Sequence, residues 1–178
     1  MKTEYGNIVV PWPVMWSAEE EYFVGICPWF KVPAICQKEA QGQGVPRFGR
    51  PHAVRQRKMM LFGLCDLCAK PLRNSTKISL SDAFSRGLAE EGVLTQVEPL
   101  LHVECARLSL KQCPSLQRQR VGGRLRITQV FRYRSRPLRA QPEDRAKYVP
   151  DYTGPDIIGL AAVDLLSWRD VTAEFSTK

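Results

Sequence analysis

Histidine is almost missing from this chain: His52 and His102 are the only two among 178 residues. A hydrolytic site that needs one imidazole on a catalytic ion and another as general base has almost nothing to draw on. Long apolar runs are missing as well. None approaches the roughly 18 residues that a membrane-spanning helix needs. Residues Met1–Asn7 are polar and lack the apolar centre of a secretory signal. The expectation is a cytoplasmic chain whose thiols stay reduced, so that clustered cysteines read as metal ligands rather than disulfides. Acids are missing in blocks: none lies between Glu39 and Asp66, and none between Gln117 and Ala140. Internal repeats and low-complexity segments are absent too.

What is present is a basic, moderately apolar chain. Lys and Arg number 26 against 18 Asp and Glu, giving a net charge of +8. Hydrophobic residues make up 44% and charged residues 25%, which fits a globular protein and argues against wholesale disorder. The positive excess favours an anionic partner, either nucleic acid or an acidic protein surface, and does not choose between them.

The strongest local signal is in the centre. Cys65-Asp66-Leu67-Cys68 is followed at a distance by His102-Val103-Glu104-Cys105, then by Cys113-Pro114. Zinc takes four ligands in a tetrahedron, and thiolates with one imidazole suit it. A Cys-x-x-Cys turn presents both sulfurs to one point. A helix expected over Leu100–Gln112 puts His102 and Cys105 on one face of its first turn, where the helix N-terminus favours a thiolate. Between the pairs, Lys77–Leu80 and Thr95–Val97 are expected to form a short hairpin, with Ser81–Gly92 as an insertion. Knuckle, hairpin and ligand-bearing helix follow the treble-clef order. The expected ligands are Cys65, Cys68, His102 and Cys105 around a structural zinc. Cys113 either replaces His102 as the fourth ligand or packs beneath the helix.

Residues 1–43 read as an irregular arm rich in proline and aromatics, with a strand at Ile8–Val10 that stops at Pro11 and a short helix near Val32–Ala40. Trp12, Trp16, Tyr22, Phe23, Trp29 and Phe30 either pack onto the later core or form an exposed platform for bases or a partner. Cys27 and Cys36, with apolar neighbours, read as buried thiols. A second metal site joining them to His52 matches no common spacing. Residues 44–116 read as the zinc module. Within it, Pro51 suits the first position of a helix that runs to Phe62 and stops at Gly63, carrying Arg55, Arg57 and Lys58 on a solvated face.

Residues 117–178 read as a basic strand extension and tail. Arg124, Arg126, Arg132, Arg134 and Arg136 alternate along one face, with Thr128 and Val130 between them. Leu125, Ile127, Phe131 and Tyr133 take the other face, with Gln129. Asp156–Trp168 suits helix and strand alike, and a strand would pair with the arginine strand. The fold class expected is α+β: a small treble-clef-like zinc module with a short antiparallel sheet and one or two helices.

The runs Gly44–His52, Arg55-Gln56-Arg57, Gly63–Leu72, Pro99–His102, Cys105-Ala106 and Cys113-Pro114 resemble those of small bacteriophage and prophage proteins with a CxxC…HxxC…CP motif. The resemblance covers roughly residues 25–120. It implies a viral origin, action in the host cytoplasm, a zinc site and a role for the Cys-Pro pair. No activity is established for that group, so it transfers no catalytic residue. The residues themselves argue against an enzyme. A closed Cys3His site leaves no position for water. The His102-Val103-Glu104 triplet follows the Cys-x-x-Cys pair, the reverse of the zinc-deaminase order. The expected function is therefore non-catalytic binding. Nucleic acid would dock on the arginine strand and on Arg55, Arg57 and Lys58. The alternatives are a protein-interaction module that redirects a host defence or transcription complex, and a virion component.

Overall fold

The computed structural model describes residues 3–82 and 93–175. Its strands are β1 (Thr3–Tyr5), β2 (Ile8–Val10), β3 (Val14–Trp16), β4 (Tyr22–Ile26), β5 (Pro33–Gln37), β6 (Pro46–Pro51), β7 (Lys77–Asp82), β8 (Leu94–Gln96), β9 (Leu101–His102), β10 (Leu125–Arg139) and β11 (Ile158–Asp170). Its α-helices are α1 (Ala53–Phe62), α2 (Val103–Gln112), α3 (Pro114–Val121) and α4 (Pro142–Tyr148). The fold is mixed α+β, with four α-helices among the described residues. Its main sheet has seven strands in the order β4-β5-β11-β10-β7-β9, with β8 also paired to β11. The sheet is thus larger than the short one expected. The difference comes from β10 and β11, 15 and 13 residues long, which form its central antiparallel pair.

Several expected elements are corrected. The arm helix near Val32–Ala40 is instead β5, antiparallel to β4 and touching β11 in parallel at Ile158↔Ala34. Pro33 biases Val32 toward extended backbone, and Ala34, Ile35 and Cys36 are all buried, which a strand between two layers allows. The expected hairpin of Lys77–Leu80 with Thr95–Val97 does not form. β7 pairs along six residues with β10 and also with β9, whereas β8 pairs with β11. The long strand offers β7 a fuller ladder than the three residues of β8. The insertion expected over Ser81–Gly92 lies, from residue 83 on, outside the described residues. Pro51 ends β6, and the first helical residue is Ala53.

The arginine strand departs from simple alternation. In its first half Leu125, Ile127, Thr128 and Val130 are all buried, so both faces are covered. Then Val130 faces Trp168 while Arg132 faces Ser167, leaving Phe131 as an extra residue on β10. The next step, from Arg132↔Ser167 to Tyr133↔Leu165, leaves Leu166 as an extra residue on β11. Phe131, expected on the buried side, is consequently exposed, and so is Leu166.

Helix α1 is the other surprise. Arg55, Gln56 and Arg57 are all buried rather than on a solvated face. β11 meets β5 at Ile158 and β8 at Val163–Leu165, and no described strand pairs with that edge in between. Side chains from α1 fill this gap. Gln56 accepts from Ala161 N–H (2.9 Å) and donates to Ala161 O and Val97 O (both 2.7 Å), so its amide stands in for a strand peptide. Arg57 donates to Ile35 O (2.9 Å) and to Gly159 O, joining β5 to β11. Arg55 donates to Trp12 O (3.1 Å), Val14 O (2.9 Å) and both oxygens of buried Glu19 (2.6 Å each). Burial pushes the Glu19 carboxyl up, but Arg55 and the N–H groups of Trp16 and Ala40 outweigh it and hold the carboxyl below its usual range.

The ends of α1 are satisfied locally. At its start, Gln37 Oε1 accepts from Ala53 N–H (2.6 Å) and His52 Nδ1 accepts from Arg55 N–H (3.3 Å). His52 Nε2 then donates to Lys38 O (3.1 Å), which sets a neutral Nε2–H tautomer. At its end Gly63 adopts φ 57°, as the expected stop requires.

Two predictions follow from this helix. Arg55→Ala leaves Glu19 buried and unpaired, and should cost on the order of 3–5 kcal/mol in urea unfolding. A loss below about 1 kcal/mol would contradict the buried pair. His52 is held below its ordinary 6.5 by burial and then by Arg55. The unfolded chain therefore takes the proton first. Stability from this group is complete above pH 6.5 and declines as pH falls through the lowered folded value. His52→Asn keeps a capping acceptor, so its urea midpoint should lose this component of the acid dependence.

Candidate metal centre and basic surface

The knuckle is a tight turn between Gly63 and Leu72. Leu72 N–H donates to Gly63 O (2.8 Å), Cys65 N–H to Lys70 O (2.9 Å) and Ala69 N–H to Cys65 O (2.8 Å). Ala69 adopts φ 55°, which curls the chain around the two sulfurs. The second pair comes from the β9–α2 junction. β9 pairs with β7 through Lys77↔His102, which fixes His102 in space. His102 is the N-cap of α2 rather than part of its first turn, and Cys105 is its third helical residue.

These elements bring Cys65, Cys68, His102 and Cys105 together, with one ligand atom from each within 4.8 Å of all the others. Cys68 Sγ lies 3.5 Å from His102 Nδ1. A tetrahedron with zinc-like bond lengths has a sulfur–nitrogen edge of about 3.5 Å. On the far side of the ring, Nε2 donates to Pro71 O (3.2 Å), which leaves Nδ1 as the ligand atom and orients the imidazole. The three sulfurs are buried and His102 is half-buried. Burial pushes the thiols of Cys65 and Cys105 up, and for Cys105 the neighbouring Cys65 adds to the effect. Three adjacent thiolates need a cation to offset their repulsion. The group is therefore suited to hold a metal ion, and its donor set is compatible with zinc. Cys113 sits half-buried at the α2–α3 joint, outside this group.

Cys27 and Cys36 are buried, as expected, in a cluster with Ala34 and Ile158. They do not join His52. A second grouping of Glu19, Glu39 and His52 has ligand-like spacing, but Arg55 bonds Glu19 and reaches Glu39 at 2.8 Å, so a cation already occupies it.

The expected contact arginines divide into four sets. Arg55 and Arg57 are buried and bonded inside the fold, which corrects their assignment to a surface. Lys58, on the same helix, is exposed above the Trp12 ring (5.8 Å). Arg124 and Arg132 are exposed. Arg126 stacks over Trp168 at 5.8 Å. Arg134 and Arg136 converge on Asp164, at 2.9 and 3.1 Å. Burial raises the Asp164 carboxyl, but bonds from Thr95, Arg134 and Arg136 outweigh it and hold it below the usual range. The sequence reading missed Asp164, although a signal existed: it is the single charge among apolar and small residues from Ile157 to Trp168.

Comparison with protein-family models, with curated proteins and with solved structures finds no match.

Metal uptake tests the centre. The metal-free chain should bind one divalent ion and release protons near neutral pH, at least two of them from the raised thiols of Cys65 and Cys105, which start protonated. Calorimetry in buffers of different ionisation enthalpy counts the protons. Cys105→Ser should abolish tight binding, whereas Cys113→Ser should leave stoichiometry and thermal midpoint unchanged.

Proposed function

We propose that this chain is a non-catalytic, zinc-stabilised binding protein of phage type that contacts nucleic acid through its arginine-rich strand. The knuckle, the β7–β9 pair and α2 follow the treble-clef order, with four protein ligands closing the ion and leaving no position for a reacting water. Both histidines are committed to structural work. His52 caps α1 as a buried neutral ring, and His102 belongs to the metal group. Neither is placed to serve as a general base.

The observation that carries the reading is a block of one-sided charge. Between Glu104 and Glu143 the sequence holds nine arginines and Lys111, and no acid. The block folds as most of α2, all of α3 and β10, with α3 touching both of the others. Arg118, Arg120, Arg124 and Arg132 are exposed along it. Phosphate groups supply the matching charge, and binding of that kind is sequence-independent at base level.

A second reading is a protein-interaction surface. Its support is the β4–β5 hairpin tip, where Ile26 and Val32 are exposed and Trp29 packs edge-on against exposed Phe62 at 5.9 Å. The anchors differ from those expected of a tryptophan-rich arm, since Trp16 is buried. A host complex that survives nuclease treatment and is lost in Ile26→Asp would favour it.

Salt dependence separates the two. On the nucleic-acid reading, affinity falls steeply with salt, and Arg124→Gln with Arg132→Gln lowers the log–log slope by about 1.4–1.8. Both residues are exposed, so the thermal midpoint should not move. A slope near zero in the parent protein would overturn the reading.

A further inference from the structure

We infer that the exposed face of β10 and β11 around Phe131 binds single-stranded nucleic acid, with a base stacked on Phe131 and phosphates on the flanking arginines. The inference rests on the nucleic-acid reading above and names the form of nucleic acid that this face takes.

Tyr133 Oη approaches Gly63, and Ser135 donates to Met60 O (2.7 Å), so these two side chains face α1. Arg132, Arg134 and Arg136 alternate with them and therefore face away from α1. Arg134 and Arg136 share this side with Asp164, which both of them bond. One carboxylate thus lies beneath two guanidinium groups. Asp164 is 2% exposed, while Arg134 and Arg136 keep 55% and 37% of their side chains accessible. The acid holds both arginines in fixed positions. Arg132 adds a third cation with no ion pair to a described residue.

Beside these cations stand two apolar side chains that a sheet would ordinarily bury. Phe131 is 52% exposed and Leu166 44%. Each is the extra residue of its strand at the same point of the ladder, next to Arg132 and its partner Ser167. An extra residue bends its strand and re-aims a side chain, and it interrupts backbone pairing. Here the two extra residues leave a phenyl ring in solvent next to Arg132. A solvated face needs no such ring.

The occupant follows from the chemistry. A phenyl ring stacks on any base but only on one that is unstacked from its own helix, and guanidinium groups bond the phosphates between bases. In a duplex the bases are stacked on one another and present only groove edges, so the ring would have no partner. An acidic peptide offers the charge but no planar ring at each repeat of it. Single-stranded DNA or RNA offers both.

The test uses the full metal-loaded chain and fluorescein-labelled 16-nucleotide strands, single or annealed, read by anisotropy. The single strand should bind about tenfold more tightly than its duplex, in keeping with one stacked base. Phe131→Ala should remove most of that preference at an unchanged salt slope, and Arg132→Gln should lower the single-strand slope by about 0.7. Phe131→Trp should restore affinity, and its fluorescence should quench on strand binding. Equal affinity for duplex and single strand, unaffected by Phe131→Ala, would overturn the inference while leaving nucleic-acid binding intact. No binding to either would overturn both. Competition by poly-glutamate at equal charge concentration as effective as by the strand would assign the face to acidic protein instead.

Discussion

A guanidinium shut away from water must find acceptors for its five N–H groups, and that requirement organises this fold. Arg55 meets it in full, with the carbonyls of Trp12 and Val14 and the carboxylates of Glu19 and Glu39, whereas Arg57 reaches Ile35 O, Gly159 O and Cys36 Sγ and keeps its Nε buried with no partner among the described residues. Successive residues on a helix point about 100° apart. Arg55, Gln56 and Arg57 therefore reach in three directions from one turn of α1. The first gathers the N-terminal segment through Trp12, Val14 and Glu19. The second completes the open edge of β11. The third ties β5 to β11. Buried charge is a poor source of net stability, because desolvation offsets most of the attraction. Its effect here is to admit only one arrangement of the segments around the helix, since any other strands a charge.

The metal centre continues directly from this helix at Gly63 and is tied to it a second time through Trp12. Trp12 O accepts from Arg55 Nε, and Trp12 N–H donates to Asp66 O inside the knuckle at 2.9 Å. Asp66 N–H in turn donates to Leu100 O, just before β9. The knuckle thus holds both the N-terminal segment and the entry to α2. Gln112, at the far end of α2, accepts from Val9 N–H and donates to Asn7 O, so the same segment is gripped twice. The three stretches that composition separates share one sheet and one network of backbone bonds.

What the sequence made legible was local chemistry. Ligand spacing identified Cys65, Cys68, His102 and Cys105, because metal geometry acts through short contacts that spacing encodes. Gly63 marked the end of α1 for the same reason, since a left-handed φ is a property of one residue. The pairing of β10 with β11 is expected only on the strand reading of Asp156–Trp168, which Gly159, Ala161 and Ala162 leave open against a helix. The failures share a physical cause. Arg55 and Arg57 look like any solvated helix face until the carbonyls that receive them are known, and those lie 22 to 102 residues away. β5 reads as helix or coil because a five-residue strand buried on both sides has no alternation to detect. The exposure of Phe131 was hidden because one extra residue reverses a period-two pattern without leaving any mark in composition.

The two interruptions at Phe131 and Leu166 lie on facing strands, one residue each, so the ladder falls out of step and back into step within three rungs. Their bookkeeping is joint. Deleting either residue alone would rotate the rest of its strand by half a turn, carrying Tyr133 and Ser135 away from α1 or exposing Val163 and Leu165. Deleting both would leave the ladder continuous from Thr128 to Pro137, with every later partner unchanged. The pair thus behaves as a single structural unit: the later register survives the loss of both, but not of either one by itself.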